Sequence, residues 1–346
     1  MKDAKYLIAY IAPLAAFAGI YFGGVWSLGS VYVGFFFIPI IEFFTPNSTT
    51  NLSPVEEQQK SKSRFFDWLL YLNVPILFSL LWYFFSTLQA GGLTGFEKVA
   101  MTLNVGLIIG TVGINVAHEL GHRSTWYELL MAKTLLMSAL YMHFNIEHNR
   151  GHHKNVATDE DPSSARKGEN LYSFWLRSVS EAYVHAWKLE AERLRKIEKS
   201  VFSFNNEMIR FQIIQMAYLL TVGLLFGWNV VGFAVAISVT GFLLLETVNY
   251  VEHYGLRRKK LASGRYENVA PHHSWNSNFE LGRIFLYELT RHSDHHFKAT
   301  RKYQLLRHFD ESPQLPFGYP AAIIISLIPP LWFSIIDQKI LKIQSR

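Results

Sequence analysis

Apolar runs long enough to cross a bilayer recur six times along the chain: Tyr6 to Trp26, Leu28 to Phe44, Phe65 to Leu88, Val99 to Ala117, Ile209 to Trp228 and Val230 to Val251. Each approaches or exceeds the roughly 17–25 residues that carry a helix through the hydrocarbon core. The pattern predicts an all-α integral membrane protein of six transmembrane helices. The polar residues between the runs are distributed unevenly. Three connections, Gly24 to Leu28, Gln89 to Lys98 and Gly227 to Asn229, are short and poor in charge. The linker Asn47 to Arg64, the stretch 118–208 and the stretch 252–346 carry nearly everything basic, including the run Arg257, Arg258, Lys259, Lys260. By the positive-inside rule these lie in the cytoplasm together with both termini, the last two forming a helical cap. The first run is too long for a signal peptide and lacks its cleavage site, so it reads as a retained span.

Two further apolar segments need a decision. Tyr127 to Phe144 is long enough to cross, but a crossing there would put the histidines before it and those after it on opposite faces. It is therefore predicted as a buried or interfacial helix. Tyr319 to Ile336 is read the same way, because Pro329 and Pro330 remove backbone donors and interrupt a helix. No internal repeat or separate soluble domain is evident, so the chain reads as one domain.

Composition agrees with that architecture. Only 17% of the 346 residues are charged and 50% are hydrophobic, against roughly 25% charged in soluble domains. With no cysteine in the chain, disulfides, thiolate nucleophiles and cysteine-held iron–sulfur clusters are excluded. The net charge of +6 reads as membrane topology and not as nucleic-acid binding.

Candidate chemistry lies in the histidines. Of 14, nine fall into four groups at the predicted cytoplasmic ends of spans or in the cytoplasmic stretches. His118 and His122 sit in HELGHR, slightly more than one helical turn apart and hence on one face. His148, His152 and His153 sit in EHNRGHH, where Gly151 is expected to let the backbone bend. His253 lies in NYVEHYG, and His292, His295 and His296 lie in RHSDHH. Nine imidazoles suit two metal ions, whereas a single tetrahedral zinc needs four ligands. Imidazole binds iron, zinc, copper and nickel, so spacing does not identify the metal. Glu119, Glu252, Asp161 and Asp294 each stand near a group and are expected to accept an imidazole N–H, or else to pair with Arg123, Arg166 or Arg291. His185 and His308 are expected at the solvated surface, and His143, His272 and His273 beside the site or in a substrate loop.

HELGH also matches the H-E-x-x-H of zinc proteases, with Glu119 as general base. That reading leaves His292, His295 and His296 without purpose. A histidine-rich transporter or metal-storage protein is a further alternative, one that would lack oxygen-dependent turnover.

The chain resembles the bacterial membrane alkane monooxygenases of the membrane di-iron hydroxylase and desaturase superfamily. The likeness runs from the first span to Pro329 and Trp332. It rests on HELGHR, HFNIEHNRGHHKNVATDEDPSSARKGE, LETVNYVEHYGLRRK, GRYENVAPHHSWNSN, LYELTRHSDHH and YQLLRHFDESPQLPFGYP. Thr290 stands where that family usually has Gln, and Glu288 where His or another residue is common. The resemblance implies a six-span fold and two non-haem irons on the nine histidines. It also implies dioxygen as cosubstrate, n-alkanes hydroxylated to primary alcohols, and electrons from rubredoxin supplied by a rubredoxin reductase. The bacterial cytoplasmic membrane is the location it implies. Xylene monooxygenases and fatty-acyl hydroxylases or desaturases are the nearest alternatives.

The residues themselves add two expectations. Gly34, among Tyr32, Phe35, Phe36 and Phe37, would leave room for a longer alkane, or else would serve close helix packing. The run Arg257 to Lys260 would offer a basic surface to an acidic electron donor, or would serve as a positive-inside anchor alone.

Overall fold

Six helices in the computed structural model, which describes residues 2–45 and 47–344, are long and apolar enough to cross a membrane. They are Asp3–Phe22, Gly24–Phe44, Phe65–Ala90, Gly95–Gly121, Glu207–Phe226 and Trp228–His253. Local chemistry sets their ends. Gly91 and Gly92, both at φ 79°, take the chain out of the third span in a conformation costly for any residue with a Cβ. Thr94 then caps the fourth span, accepting from the Glu97 N–H while the Glu97 carboxylate accepts from the Thr94 N–H. Among the described residues there is no β-sheet, only isolated bridges such as Asn276 with Gln314.

The segment Tyr127 to Phe144 holds a helix, Trp126–Ser138, of 13 residues. At about 1.5 Å per residue it is too short to cross. The C-terminal apolar segment is two helices, Tyr319–Ser326 and Pro329–Gln344, interrupted just before the two prolines.

The chain divides into two compact units. One contains the chain up to Phe37, Arg64–Ile146 and Ala186–Leu245. Its helices touch through small residues: a Cβ on Gly29 would lie 2.0 Å from the Ala15 carbonyl oxygen, and one on Gly106 would lie 2.5 Å from Thr240. Such contacts replace the hydrophobic drive that lipid does not supply. Asn104 fastens three helices here, accepting from the Ser30 N–H at 2.8 Å and donating to the Ala16 carbonyl at 3.2 Å.

The other unit contains Ile38–Ser63, Glu147–His185 and the chain from Glu246 onward. Its core is aromatic, with Tyr250, Tyr254, Trp275, Tyr319 and Trp332 fully buried. Every polar tip in that set except the Trp332 indole N–H has a hydrogen-bond partner. Tyr250 donates to the Glu169 carbonyl at 2.7 Å, Tyr254 to Asp337 at 3.0 Å, and the Trp275 indole to the Tyr254 carbonyl at 3.0 Å. Rings held at both ends in this way make a stiff frame. His253 sits in that frame, three residues after Tyr250 and next to Tyr254.

Candidate metal centre

His118 and His122 lie at the end of the fourth span with their rings edge to face, 5.0 Å between centroids. The helix does not reach them unbroken. A π-helical turn, Ile109–Ile114, inserts extra residues just upstream and resets which face they present. Glu119 pairs with Arg123 at 2.7 Å, and Arg123 also reaches Asp67 at 3.3 Å.

Seven of the nine singled-out histidines belong to the second unit, and four of them converge. His152, His253, His292 and His296 are all buried, with ligand atoms within 4.8 Å of one another. Nε2 of His292 stands 3.1 Å from Nε2 of His253, 2.8 Å from Nε2 of His296 and 3.1 Å from Oε2 of Glu252. Nε2 of His152 is 3.2 Å from Nε2 of His296. Hydrogen bonds do not account for this geometry. The Nδ1–H of His152 donates to Asp161 at 2.9 Å, so the Nε2 of that ring carries a lone pair. His292 Nε2 faces three basic atoms, and one hydrogen can serve only one of them. Two nitrogens bonded to one ion at about 2.0–2.1 Å stand roughly 3 Å apart, which is the spacing seen. The donor set fits a cation.

Protonation differs between the members of the set. Burial and the neighbouring imidazoles push His296 well below the ordinary histidine value, which keeps it neutral and able to ligate. Burial also opposes charge on His152, but the Asp161 carboxylate outweighs it and raises that group. The same pair, against the opposing effect of burial, holds Asp161 below the usual carboxylate range. Asp161 is fixed in turn by the Ser164 hydroxyl and the Ser163 N–H.

A π-helical turn, His148–His152, sorts the second histidine group. In a turn closed i to i+5, His148 and His153 meet edge to face, and their Nε2 atoms stand 3.0 Å apart. His295 joins them at 3.1 Å from His153. His152 points the other way, into the four-histidine set. Gly151 is needed here for a reason the sequence did not suggest. A Cβ on it would fall 2.7 Å from the Glu147 carboxylate and 2.8 Å from the His185 ring, so it serves close approach and not a bend.

Curated relatives match the chain over nearly its whole length. It is 41% identical to alkane 1-monooxygenase 2 of Pseudomonas aeruginosa, covering 98% of this chain and 92% of that one. It is 37% identical to the alkane 1-monooxygenase of Pseudomonas putida, over 98% and 85%. The chain belongs to the alkane 1-monooxygenase family. A family model described as fatty acid desaturase matches residues 98–323. The chain is also 26% identical to the xylene/toluene monooxygenase hydroxylase component of Pseudomonas putida, over 98% of this chain and 89% of that one. An alkane 1-monooxygenase of this family is a multi-pass membrane enzyme, and the six apolar helices agree with that.

Other predicted residues fall elsewhere. Asp294 faces Arg301 at 3.2 Å and accepts the Arg307 N–H at 2.8 Å. His308 is buried, not solvated, with Asn278 at 3.2 Å and Asp310 at 3.1 Å. His185 is half-buried against Glu147. His143 is buried, which pushes it down to about 3, and its ring lies 4.2 Å from that of Tyr141. Arg257 and Arg258 turn inward onto backbone carbonyls of Ala165, Lys154 and Glu267, leaving Lys259 and Lys260 exposed. Thr290 donates to the Ser277 carbonyl at 2.8 Å, and Glu288 pairs with Arg283 at 2.7 Å.

Sequence reasoning overlooked Asn276. Its side chain grips Ser293 twice, accepting from the Ser293 N–H at 2.8 Å and donating to the Ser293 hydroxyl at 2.7 Å. It thereby fixes the helix His292–Phe297 that carries three of the histidines. The signal was its place in HSWNSN.

Proposed function

We propose that this chain hydroxylates the terminal methyl of n-alkanes to primary alcohols, with two irons held by His118, His122, His148, His152, His153, His253, His292, His295 and His296. The observation that carries the reading is the buried, converging imidazole set beside Glu252, in a chain 41% identical to an alkane 1-monooxygenase. A saturated hydrocarbon has no acidic proton and no leaving group, so acid–base and nucleophilic catalysis have nothing to act on. Iron bound in this set supplies the oxidation chemistry, with dioxygen as cosubstrate and electrons from rubredoxin and its reductase.

The protein's own contribution is orientation and exclusion. Asp161 fixes the tautomer of His152, Asn276 fixes the helix of His292, and the aromatic frame holds His253. Gly34, whose missing side chain is read as room for a longer alkane, has Leu107 3.4 Å from where its Cβ would be. Lys259 and Lys260 offer an acidic donor its basic landing, and turnover through them should fall as salt rises. The whole chain acts as one domain in the bacterial cytoplasmic membrane, with both termini and the site on the cytoplasmic side.

Purified iron-loaded protein, supplied with octane or hexadecane, dioxygen and a rubredoxin system, should yield the primary alcohol by gas chromatography. Failure to oxidise any alkane, with fatty-acyl substrates converted instead, would overturn the proposal. A second reading, methyl-group oxidation of a methylarene by the same set, is favoured by the likeness to the xylene/toluene enzyme. Parallel assays with xylene decide between them.

A further inference from the structure

The unit that contains Arg64–Ile146 and Ala186–Leu245 holds an apolar groove, with a volume of about 450 Å³, that the proposed reaction does not use. It lies within the range of roughly 300–1,000 Å³ typical of small-molecule sites. Two helices form its walls at helical spacing, Leu81, Trp82 and Phe85 on the third span and Ile214, Thr221 and Leu225 on the fifth. Met137 contributes from the helix Trp126–Ser138. Trp82 and Phe85 meet Phe226 at 5.0 and 5.5 Å between ring centroids, closing one end.

One lining residue does not fit an all-hydrocarbon groove. The Tyr218 hydroxyl oxygen is buried and has no hydrogen-bond partner. The other hydroxyl in the lining, on Thr221, is engaged at 2.8 Å by the Ala217 carbonyl of its own helix. In lipid no water relieves an unpaired hydroxyl, so the side chain is costly unless an occupant accepts its hydrogen. Its depth limits what that occupant can be. Tyr218 lies roughly 17 Å along the fifth span from Glu207 and about 12 Å from Phe226, near the middle of a hydrocarbon core about 30 Å thick. The ester carbonyls of phospholipids sit at the borders of that core. A plain alkane has no acceptor at all.

We propose that this groove binds a long-chain primary alcohol, its oxygen accepting the Tyr218 hydroxyl hydrogen in the bilayer interior and its chain lying between Trp82 and Leu225. The choice of alcohol rests on the reaction proposed above, whose product it would be; the groove and its unpaired hydroxyl do not. A product-holding site in lipid would keep the alcohol near the enzyme as it leaves.

The test uses the full-length, iron-loaded protein in phospholipid nanodiscs, without electron donor, so that binding is read apart from turnover. Hexadecan-1-ol and hexadecane, each carrying a mid-chain diazirine, are photolysed and the cross-linked peptides mapped by mass spectrometry. The alcohol probe should label the third and fifth spans around Trp82 and Leu225, competed by unlabelled hexadecan-1-ol and not by hexadecane. Tyr218→Phe should reduce that labelling by about five-fold, the scale of one lost hydrogen bond. Leu81→Trp, which fills the groove and keeps the hydroxyl, should abolish it. Equal labelling by both probes, no groove labelling by either, or an alcohol preference that survives Tyr218→Phe would each overturn the proposal. If Tyr218→Phe fails to fold, the competition result with the unaltered protein decides alone. Because no turnover is measured, failure here leaves alkane hydroxylation standing, and failure of hydroxylation leaves the labelling result intact.

Discussion

Within one unit of this protein, two clusters of histidine have similar spacing and opposite character. His152, His253, His292 and His296 point their Nε2 atoms at one another with no arrangement of hydrogens to satisfy them. Glu267, His272 and His273 also bring their ligand atoms within 4.8 Å, but there the hydrogen bonds close. His273 Nδ1 accepts the Ala270 N–H at 3.0 Å, so its ring hydrogen sits on Nε2 and is donated to Glu267 at 3.2 Å. Glu267 also accepts the Lys259 N–H at 2.7 Å. Burial and the adjacent His272 push His273 down to about 4, so it stays neutral in that role. Proximity alone therefore does not make a metal site. What separates the two is where the lone pairs point.

Substitutions should sharpen that contrast. His296→Ala takes a ligand from the centre of the buried set; iron per chain, measured by emission spectroscopy, should fall and alkane turnover should drop by about 100-fold or more. Asp161→Asn leaves the ligands in place but frees the His152 tautomer, and should weaken metal affinity by roughly 10–100-fold in a chelator competition. Asn276→Ala loosens the helix of His292 and leaves the buried Ser293 N–H unpaired, at a cost of about 1–3 kcal/mol. It should lower the thermal unfolding midpoint and reduce turnover less than Asp161→Asn does. His273→Gln should leave iron content unchanged. An iron loss with His273→Gln as large as with His296→Ala would erase the distinction drawn here.

How much of this was legible beforehand depended on whether the cause was local. The six spans could be read because lipid imposes an apolar run of fixed length on each, and the helix Trp126–Ser138 because a further crossing would have divided the histidines. The nine histidines stood out by residue type. Their sorting did not, since His152 and His153 are neighbours in sequence yet face different partners, and only the backbone decides that. Asp161, nine residues past His152, stands at hydrogen-bond distance from it, while Asp294, beside His295, faces Arg301. Arg257 and Arg258 looked like surface charge because a sequence does not show which carbonyls lie within reach. Asn276 was missed for a related reason: its partner, Ser293, comes 17 positions later.

The turn His148–His152 has an implication for how tolerant this region is of change in length. A helical turn one residue wider than the usual one acts as a phase shifter, and its effect depends on count more than on identity. Deleting Asn149 would return the segment to ordinary helical pitch and swing every downstream side chain by about 100°. His152 and His153 would both be redirected although neither had been replaced. Insertions and deletions here should be far less tolerated than substitutions at Asn149 itself, so a length scan across the loop would register a constraint that alanine scanning passes over.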